Sequence, residues 1–376
     1  VYKDGLMQVS QSIGSFQPQT SHDLYMGLVS GLSDFQGQLD EISLYGRPLD
    51  PEEVYDIYAS GSVGKCPDTN TIAVSVGPNF AVPSPTNTLL NGSVTENGQP
   101  AGTNVQVQWT EYYGPGSVIF ADPTSAVTPV TFSTNGIYIL QLTANNNDEE
   151  SSSLVEVRVG VPCDDLPLPG LSAWWPANGT AEDIIGGNEA ILGGGIGYAN
   201  GEVALGFNFN GVSDFVLAPA ATNYNVGASS SGMTIEFWTK GTPNDTCGVL
   251  GWQNGVIMVE GGGNNGLYVN LGDTKGNSHP LTPVSNVFDG NWHHVAVTYN
   301  PVTGVADIYK DGVMIVTQTI GGFQPQTASD FYMGQVSGYS DFKGELDEIS
   351  LYNQPLSPDA ILAIYAAGDA GKCPNN

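Results

Sequence analysis

The feature that most constrains this chain is an internal repeat. The segment VYKDGLMQVSQSIGSFQPQT at Val1–Thr20 returns as IYKDGVMIVTQTIGGFQPQT at Ile308–Thr327. The match continues without a gap to GKCP, at Gly64–Pro67 and again at Gly371–Pro374. The offset is 308 − 1 = 307 residues throughout, and roughly two-thirds of the matched positions are identical, far above chance. Because the first copy has no front half, we expect the chain to be about one period of a longer periodic array.

Charge excludes two classes of partner. The chain has 9 Lys+Arg against 38 Asp+Glu, which gives a net charge of −29 and a pI near 4.1. Nucleic acid and anionic membranes both need a basic surface on the protein that binds them, so we expect this chain to bind neither. No apolar run approaches the roughly 20 residues of a membrane span, so we expect no membrane insertion. Two explanations of the acidity stay open: solubility in a salty environment and specific Ca²⁺ sites.

Strand patterns dominate the sequence. Runs such as GIYILQLTA, MTIEFWTKG and WHHVAVTYN are rich in β-branched and aromatic residues and are broken by Gly, Asn and Pro. Asp311-Gly312 and its counterpart Asp4-Gly5 predict two-residue hairpins. Helical patterns are confined to Leu356–Gly368 and Leu49–Gly61, each with a Pro near its start and a Gly at its end. The pattern predicts an all-β chain with one short helix per repeat.

Cysteines and Pro-rich joints predict three domains. Val1–Pro67 is the back half of one β-sandwich, and Asp68–Pro162 is a smaller all-β module of Ig-like size. Cys163–Asn376 is a complete larger sandwich. We therefore expect tandem β-sandwiches.

The segments of the largest predicted domain resemble a known family. LSAWWPANGTAEDIIGGNEAIL, MTIEFWTKG, NWHHVAVTYN, IYKDGVMI and GELDEISLYNQPLSPDAILAIYAAGDAGKCP follow one another in order. The series resembles the bacterial laminin-G-like (LamG-like), concanavalin A-like lectin/glucanase jelly roll, and Val1–Pro67 resembles a truncated second copy of it. The middle module, with VQVQWTEYYGPGSVIFADP and FSTNGIYILQLTA, is similar to PKD-like and other Ig-like domains. The resemblance implies LamG-like domains flanking a PKD-like domain in an extracellular tandem-repeat protein.

The four cysteines form no CxxC pair, which disfavours zinc and redox chemistry. Cys163 precedes the last domain and Cys373 closes it, so we expect a disulfide that joins the two ends of that domain. Cys66 would need a partner in the missing front half, and Cys247 is expected to be a small buried hydrophobic residue. This use of cysteine favours a secreted or cell-surface location.

Catalysis is not expected. The glucanases on this fold follow an ExDxxE pattern on one strand, and Glu345 and Asp347 match its start. Ser350 stands where the second glutamate is required for paired-carboxylate hydrolysis, and Gln38 replaces the first glutamate in the other copy.

The resemblance instead implies a calcium site. Related domains often bind Ca²⁺ between an early loop and the strand that carries the Asp-Glu pair. Here the loop is Asn178–Asp183, and the predicted ligands are Asp183 and Asp347, with Asp40 equivalent to Asp347 in the first copy. Carboxylates and backbone carbonyls are the ligands that Ca²⁺ prefers. The alternative is a solvated loop beside an exposed strand, and no other cofactor is expected.

Two further residue groups have open interpretations. Adjacent His293 and His294 would point to opposite faces of a strand, so they cannot chelate one ion, and we expect WHHVAVTY to be a core strand. Four aromatic residues near loops or strand ends could form a sugar platform or belong to the core: Trp252, Tyr268, Tyr339 and Phe342.

The leading expectation is a structural role as a surface stalk, adhesin or filament whose partners are copies of itself. The half domain Val1–Pro67 would be completed by the adjoining repeat or subunit, because its strands cannot form a core alone. The segment expected to take part in assembly is represented by Val1, Tyr2, Asp40, Tyr45 and Cys66. The alternative is a secreted carbohydrate-binding, lectin-like protein with glycan partners.

Overall fold

The structure is a computed structural model. It describes residues 1–3, 5–11, 42–45, 47–49, 51–59, 72–82, 88–102, 104–146, 149–161, 168–228, 231–242, 246–253, 255–260, 265–336 and 338–373. The chain divides into two compact units, Val1–Thr69 and Asn70–Asn376.

The first unit contains a short hairpin and a helix, with these bounds: β1 Tyr2–Lys3, β2 Leu6–Met7 and α1 Pro51–Ala59. Gly5 has φ +77°, and a Cβ there would lie 2.9 Å from Cδ1 of Tyr58, so the helix packs closely on the turn. Of the predicted assembly segment, Val1 and Tyr45 are exposed and Tyr2 is half-buried. Asp40 and Cys66 lie outside the described residues.

Residues 72–159 of the second unit hold ten strands: β3 Ile72–Ser75, β4 Phe80–Val82, β5 Thr88–Asn91, β6 Ser93–Glu96, β7 Gln99–Pro100, β8 Gln106–Tyr113, β9 Val118–Phe120, β10 Val127–Phe132, β11 Gly136–Asn145 and β12 Glu150–Val159. They form sheets ordered β4-β12-β11-β8, β5-β10-β9 and β3-β6-β7. Trp109 is fully buried, and its indole N–H donates to the Ala126 carbonyl (3.0 Å). The Tyr138 hydroxyl donates to the carbonyl of Thr134, four residues upstream. These features form an Ig-like core.

The remaining seventeen strands of the described residues run from β13 to β29: β13 Leu171–Trp175, β14 Glu182–Asp183, β15 Asn188–Glu189, β16 Ile191–Gly193, β17 Gly197–Asn200, β18 Leu205–Asn210, β19 Phe215–Ala218, β20 Met233–Gly241, β21 Cys247–Trp252, β22 Val256–Glu260, β23 Leu267–Leu271, β24 His293–Asn300, β25 Val305–Lys310, β26 Val313–Thr319, β27 Phe331–Met333, β28 Ser340–Asp341 and β29 Lys343–Tyr352. Helix α2 is Pro358–Ala367, and short 3₁₀ turns cover Thr222–Tyr224, Val226–Ala228 and Gly368–Ala370.

Two large sheets enclose the core of this region, and all their strand pairs are antiparallel except the parallel pair β21–β28. The eight-stranded sheet has the order β17-β18-β29-β20-β24-β25-β26, with β13 also paired to β29. The seven-stranded sheet has the order β16-β19-β27-β21-β22-β23, with β28 beside β21. Alternate side chains of facing strands fill the space between the sheets, including Phe237, Val297 and Leu351. The outer face of the eight-stranded sheet is covered by α2, whose Ile361 and Ile364 share an apolar cluster with Tyr352.

The predicted local structures are confirmed. Asp311 and Gly312 have φ of +52° and +74° between β25 and β26, as the favoured hairpin turn requires. Helix α2 starts after Ser357, whose hydroxyl accepts the Ala360 N–H (3.2 Å), and it ends at Gly368. Within the described ranges the structure is all-β, with one short α-helix in each copy of the repeat. Among the described helices, none has the length and apolarity to cross a membrane.

Candidate functional sites

The Asp-Glu pair of the sequence lies at a bulge in β29. The pairing with β20 shifts between Glu236 and Trp238, and Glu348 has φ +54°. A bulge adds an unpaired residue and re-aims the side chains around it. The result here is that Asp347 and Glu348 are fully buried, 0% and 1% exposed.

A cluster of buried ionisable side chains surrounds the bulge. We call it the charged clasp, and its members are Glu236, His294, Asp347, Glu348 and Lys372. The Lys372 ammonium donates to Glu236 Oε1 (2.8 Å) and to the Glu348 carbonyl (3.1 Å), and it forms an ion pair with Glu348 Oε2 (3.1 Å). His294 Nε2 lies 3.1 Å from Glu236 Oε2. The clasp therefore ties the C-terminal segment to three strands of the sheet.

Two neighbouring rings complete the surroundings of the clasp. The Tyr352 hydroxyl donates to Glu236 Oε1 (3.1 Å), and the Lys372 ammonium lies 5.0 Å from the centre of the Trp174 ring. A buried ammonium is stabilised by the face of an aromatic ring. Lys372 thus has carboxylate, carbonyl and ring partners.

Charge pairing and burial act in opposite directions on the clasp. Burial would raise the pKa of Glu236, but Lys372 and the hydrogen bond with His294 outweigh it and lower that pKa to about 2. Burial and the neighbouring charge of Glu348 raise the pKa of Asp347 well above its ordinary value. Burial also raises the pKa of Glu348, although Lys372 opposes the shift. One carboxylate is therefore held ionised and two are held towards the protonated form.

Some atoms of the clasp lack partners. Asp347 Oδ2 accepts the Val203 N–H (2.8 Å). Asp347 Oδ1, Glu348 Oε1 and His294 Nδ1 have no hydrogen-bond partner within the described part of the chain. A buried polar atom without a hydrogen-bond partner lowers the free energy of unfolding. The clasp is therefore not arranged for the stability of the fold alone.

The clasp adjoins the contact between residues 72–161 and the larger sandwich. Arg158 on β12 donates from Nε to Glu156 Oε1 (2.6 Å) and from Nη1 to the Ala370 carbonyl. Glu156 Oε2 accepts from Asn178 Nδ2 (2.7 Å), and Asn178 Oδ1 accepts the Leu205 N–H (2.9 Å). Arg158 is 4% exposed and Glu156 is 6% exposed. The ion pair is therefore sealed between the two domains.

Apolar side chains seal the same junction. Ile137 and Ile139 of β11 share a cluster with Val203, Ala204 and Leu205. Charged groups and apolar surface are thus buried together, which favours a fixed orientation of the two domains.

The predicted calcium ligands have other partners. Asp183 Oδ1 accepts the backbone N–H groups of Trp174 (2.9 Å) and Ile185 (3.1 Å), and Oδ2 accepts from Asn223 (2.8 Å). Asp347 faces Val203 instead. No group of three His, Cys, Asp or Glu side chains in the described ranges is arranged to hold a metal ion. The calcium site remains a prediction, and Asp40 lies outside the described residues.

The cysteines are partly described. Cys373 is disulfide-bonded, and Cys247 is fully buried in the core, as expected. The predicted partner Cys163 lies outside the described residues, so the pairing remains a prediction.

The two histidines have separate environments. His293 Nδ1 lies 2.9 Å from Asp311 Oδ2 and Nε2 lies 3.3 Å from Asp289 Oδ1, whereas His294 is buried in the clasp. Val295, Val297 and Tyr299 are fully buried, so the predicted core strand is confirmed. Asp347 of the Asp-Glu strand is fully buried, and the expected absence of catalysis remains a prediction.

A groove lies on the outer face of the seven-stranded sheet. We call it the tyrosine groove. One hollow of the groove has a volume of about 330 Å³ and the following lining: Gly251, Trp252, Gln253, Tyr332, Gln335, Val336, Gly338, Tyr339 and Asp341. Tyr332 reaches it because Phe331 and Met333, its neighbours on β27, are buried in the core. An adjoining hollow of about 440 Å³ shares Gln253, Val336 and Tyr339 with it.

The four aromatic residues suggested by the sequence divide evenly. Trp252 and Phe342 are fully buried core residues, although Trp252 also borders the groove. Tyr339 lines the groove, and Tyr268 is a neighbour of Tyr339. Burial and the proximity of Tyr339 raise the pKa of Tyr268.

Sequence reasoning missed several of the site residues. It did not single out Glu236, Lys372 or Arg158 for the junction, or Tyr332 for the groove. One signal was available for the clasp: Asp347, Glu348, Tyr352 and Lys372 recur at the 307-residue offset as Asp40, Glu41, Tyr45 and Lys65. The groove does not recur in the same way, because Gln335 and Tyr339 correspond to Leu28 and Leu32.

Two family models match the chain. Residues 210–362 match Laminin_G_3, the concanavalin A-like lectin/glucanases superfamily. Residues 76–159 match a PKD domain family. The LamG-like match lies after the PKD-like domain and not on both sides of it. The predicted LamG-like half domain at Val1–Pro67 therefore rests on the internal repeat alone.

Individual proteins are similar to parts of the chain. Neuronal pentraxin-2 from Cavia porcellus is 27% identical over 168 residues, which covers 39% of this chain and 38% of that protein. The binding domain of Paraclostridial Mosquitocidal Protein 1 has a TM-score of 0.45 at 15% identity, covering 52% of each chain. Domain 4 of AbnA, a GH43 extracellular arabinanase from Geobacillus stearothermophilus solved with arabinotriose, has a TM-score of 0.41 at 20% identity, covering 51% of this chain and 97% of that one.

The family matches agree with the Ig-like core of residues 72–159 and the two-sheet sandwich that follows it. This chain contains a PKD-like domain followed by a LamG-like, concanavalin A-like domain, and both domain types are typical of extracellular proteins.

Proposed function

We propose that this protein is an extracellular structural repeat protein, a surface stalk or adhesin, in which each PKD-like domain and the LamG-like domain after it form one stiff building block. The observation that carries the proposal is the sealed junction, where Arg158 binds both Glu156 and the Ala370 carbonyl. A chain of beads on flexible linkers would not need to bury the Arg158–Glu156 ion pair of β12 at its domain junction, because burying charges costs desolvation energy.

The internal repeat supports the same function. Four residues at or beside the clasp recur at the 307-residue offset, whereas two groove residues differ between the copies. A device that fixes domain orientation is useful in every repeat of an array. In such an array the half domain Val1–Pro67 would be completed by an adjoining repeat or subunit.

Stiffness can be tested by electron paramagnetic resonance. Val127→Cys and Val302→Cys place spin labels on exposed positions of the two domains. Cys247 is fully buried, so the labelling reagent should not reach it. We expect one narrow distance distribution, which broadens when Arg158→Met and Glu156→Ala open the junction. A broad distribution in the parent protein would contradict the stiff block.

The array is tested separately by the mass of the polypeptide purified from its natural source under reducing, denaturing conditions. A covalent array predicts a mass several times the 39.4 kDa of this chain. A mass near 39.4 kDa would instead leave only assembly from separate subunits.

We propose carbohydrate binding as a second function, located in the tyrosine groove. The supporting observation is that two tyrosine rings, two glutamine amides and a carboxylate converge on one hollow. Aromatic rings pack on the apolar faces of sugars, and a few placed polar groups give a pocket its specificity. The concanavalin A-like superfamily match agrees with this use of the domain.

A glycan array probed with the full chain tests the second function. The double variant Gln335→Leu/Tyr339→Leu introduces the residues of the first copy, so it is a matched control expected to fold. We expect the parent protein to bind glycans and this variant to lose that binding.

A further inference from the structure

We infer that the tyrosine groove selects uncharged glycan chains and rejects acidic ones. This inference rests on the proposed carbohydrate binding and adds the chemical class of the ligand. It is argued from the residues that line the groove and from their counterparts in the other copy of the repeat.

The lining of the groove is acidic, and the imidazole of His279, whose Nε2 lies 3.3 Å from Asp273 Oδ2, contacts one of its two carboxylates from outside the lining. Asp341 lines the hollow of about 330 Å³ and Asp273 lines the adjoining hollow of about 440 Å³. None of the described residues that line either hollow is Lys, Arg or His. Lys275 lies on the turn beside Asp273, where it is exposed and outside the lining. A carboxylate or sulfate on a ligand in the hollow that contains Asp341 would therefore meet like charge, with no cationic side chain among the described lining residues.

The two carboxylates are held in place. Asp341 Oδ1 accepts from Gln335 Nε2 (3.0 Å). Asp273 accepts from the side chain of Asn277 (2.8 Å) and from its backbone N–H (2.7 Å), and these bonds hold the pKa of Asp273 far below its ordinary value. Since both side chains are anchored, neither can easily turn away from an approaching anion. The net charge of −29 adds to the repulsion.

The same lining suits a neutral sugar. Carboxylate oxygens accept hydrogen bonds from hydroxyl groups, and the amides of Gln253 and Gln335 can both donate and accept. Tyr332 and Tyr339 offer ring surface beside these groups. Because a second hollow continues from the first, the groove fits a segment of a chain better than one isolated sugar.

The first copy of the repeat shows which residues make the groove distinctive. Tyr332 and Asp341 recur as Tyr25 and Asp34, but Gln335 and Tyr339 are replaced by Leu28 and Leu32. A groove with two leucines in these positions would lose an amide and a ring. Binding is therefore expected to belong to this copy and not to every copy.

The test uses the full chain on four immobilised polymers: a mannan, a linear β-glucan, polygalacturonate and a sulfated galactan. The three proteins are the parent, Gln335→Leu/Tyr339→Leu, and Asp341→Asn, which keeps the oxygen that Gln335 contacts. We expect the parent to bind at least one neutral polymer about tenfold or more tighter than either acidic polymer, with less than about twofold dependence on salt. Asp341→Asn should lower the ratio of neutral to acidic binding about threefold or more, because it removes a negative charge from the lining.

The possible failures are distinguishable. Binding to none of the polymers, or neutral binding unchanged in Gln335→Leu/Tyr339→Leu, would overturn the groove as a carbohydrate site and the inference with it. If the parent binds acidic polymers as tightly as neutral ones, and the same double variant loses that binding, only the preference for uncharged glycans is overturned.

Discussion

Replacing Lys372 by methionine should destabilise the LamG-like domain by about 3 kcal/mol at neutral pH. The pairing with Lys372, helped by His294, lowers the pKa of Glu236 from 4.5 to about 2 despite complete burial. That difference corresponds to about 3 kcal/mol at 1.36 kcal/mol for each pKa unit. Removing one partner of a buried ion pair typically costs about 3–5 kcal/mol, in agreement with that figure. The effect is large against a domain stability of about 5–15 kcal/mol.

The assay is urea denaturation of the full chain followed by tryptophan fluorescence, with the transition of each domain fitted separately. Because the pKa of Glu236 is lowered in the folded state, its stabilisation is present above pH 4.5 and is lost as the pH falls towards 2. The stabilities of the parent and Lys372→Met should therefore converge over that range.

Two variants serve as controls. Lys343→Met makes the same change at an exposed lysine of β29 and should alter stability by less than about 0.5 kcal/mol. Glu236→Gln/Lys372→Met removes both partners and should recover part of the loss. A loss below about 1 kcal/mol for Lys372→Met, or a loss that does not depend on pH, would refute the role given to the ion pair.

Three further predictions concern other parts of the structure. The pKa of Asp347 is raised in the folded state, so the stabilisation that this carboxyl group provides is present at low pH and is lost as the pH rises through the folded-state pKa. Asp347→Asn should therefore flatten the fall of the melting temperature with rising pH. An unchanged slope would contradict this. Arg158→Met should cost about 3–5 kcal/mol and speed hydrogen exchange in residues 368–372, with partial recovery in Glu156→Gln/Arg158→Met; equal exchange rates would disprove the junction contact. Gly312→Ala should cost about 1–2 kcal/mol in thermal unfolding, because φ is +74° and the new Cβ would lie 2.8 Å from Leu362 Cδ1; an unchanged melting temperature would count against this.

Local patterns predicted the local structures well. The Asp311-Gly312 turn, the Ser357 cap and the strand WHHVAVTYN are each specified by a few adjacent residues. Turn geometry, helix capping and side-chain alternation act over short distances, so they can be read without knowing the fold.

Site residues were predicted less well, because their roles depend on remote partners. The bulge opposite Glu236 buries Asp347 beside Glu348, which no local pattern indicates, while its predicted role as a calcium ligand remains a prediction. Lys372 is 136 residues from Glu236 in sequence, and no local pattern relates them. The sequence left Trp252 and Tyr339 open between a sugar platform and the core, and only the tertiary structure decides which ring is buried.

The sequence by itself determined the all-β class, the internal repeat at an offset of 307 residues, the short helix predicted in each copy and the net charge of −29. These properties follow from periodicity, identity between copies and composition, which need no coordinates. Only the tertiary structure decided that the Asp347-Glu348 pair is a buried clasp beside a domain junction, and that the residues around Tyr332 and Tyr339 form an open groove. The physical reason is that burial and charge pairing depend on which distant strands meet, and sheet pairing settles this for the whole domain at once.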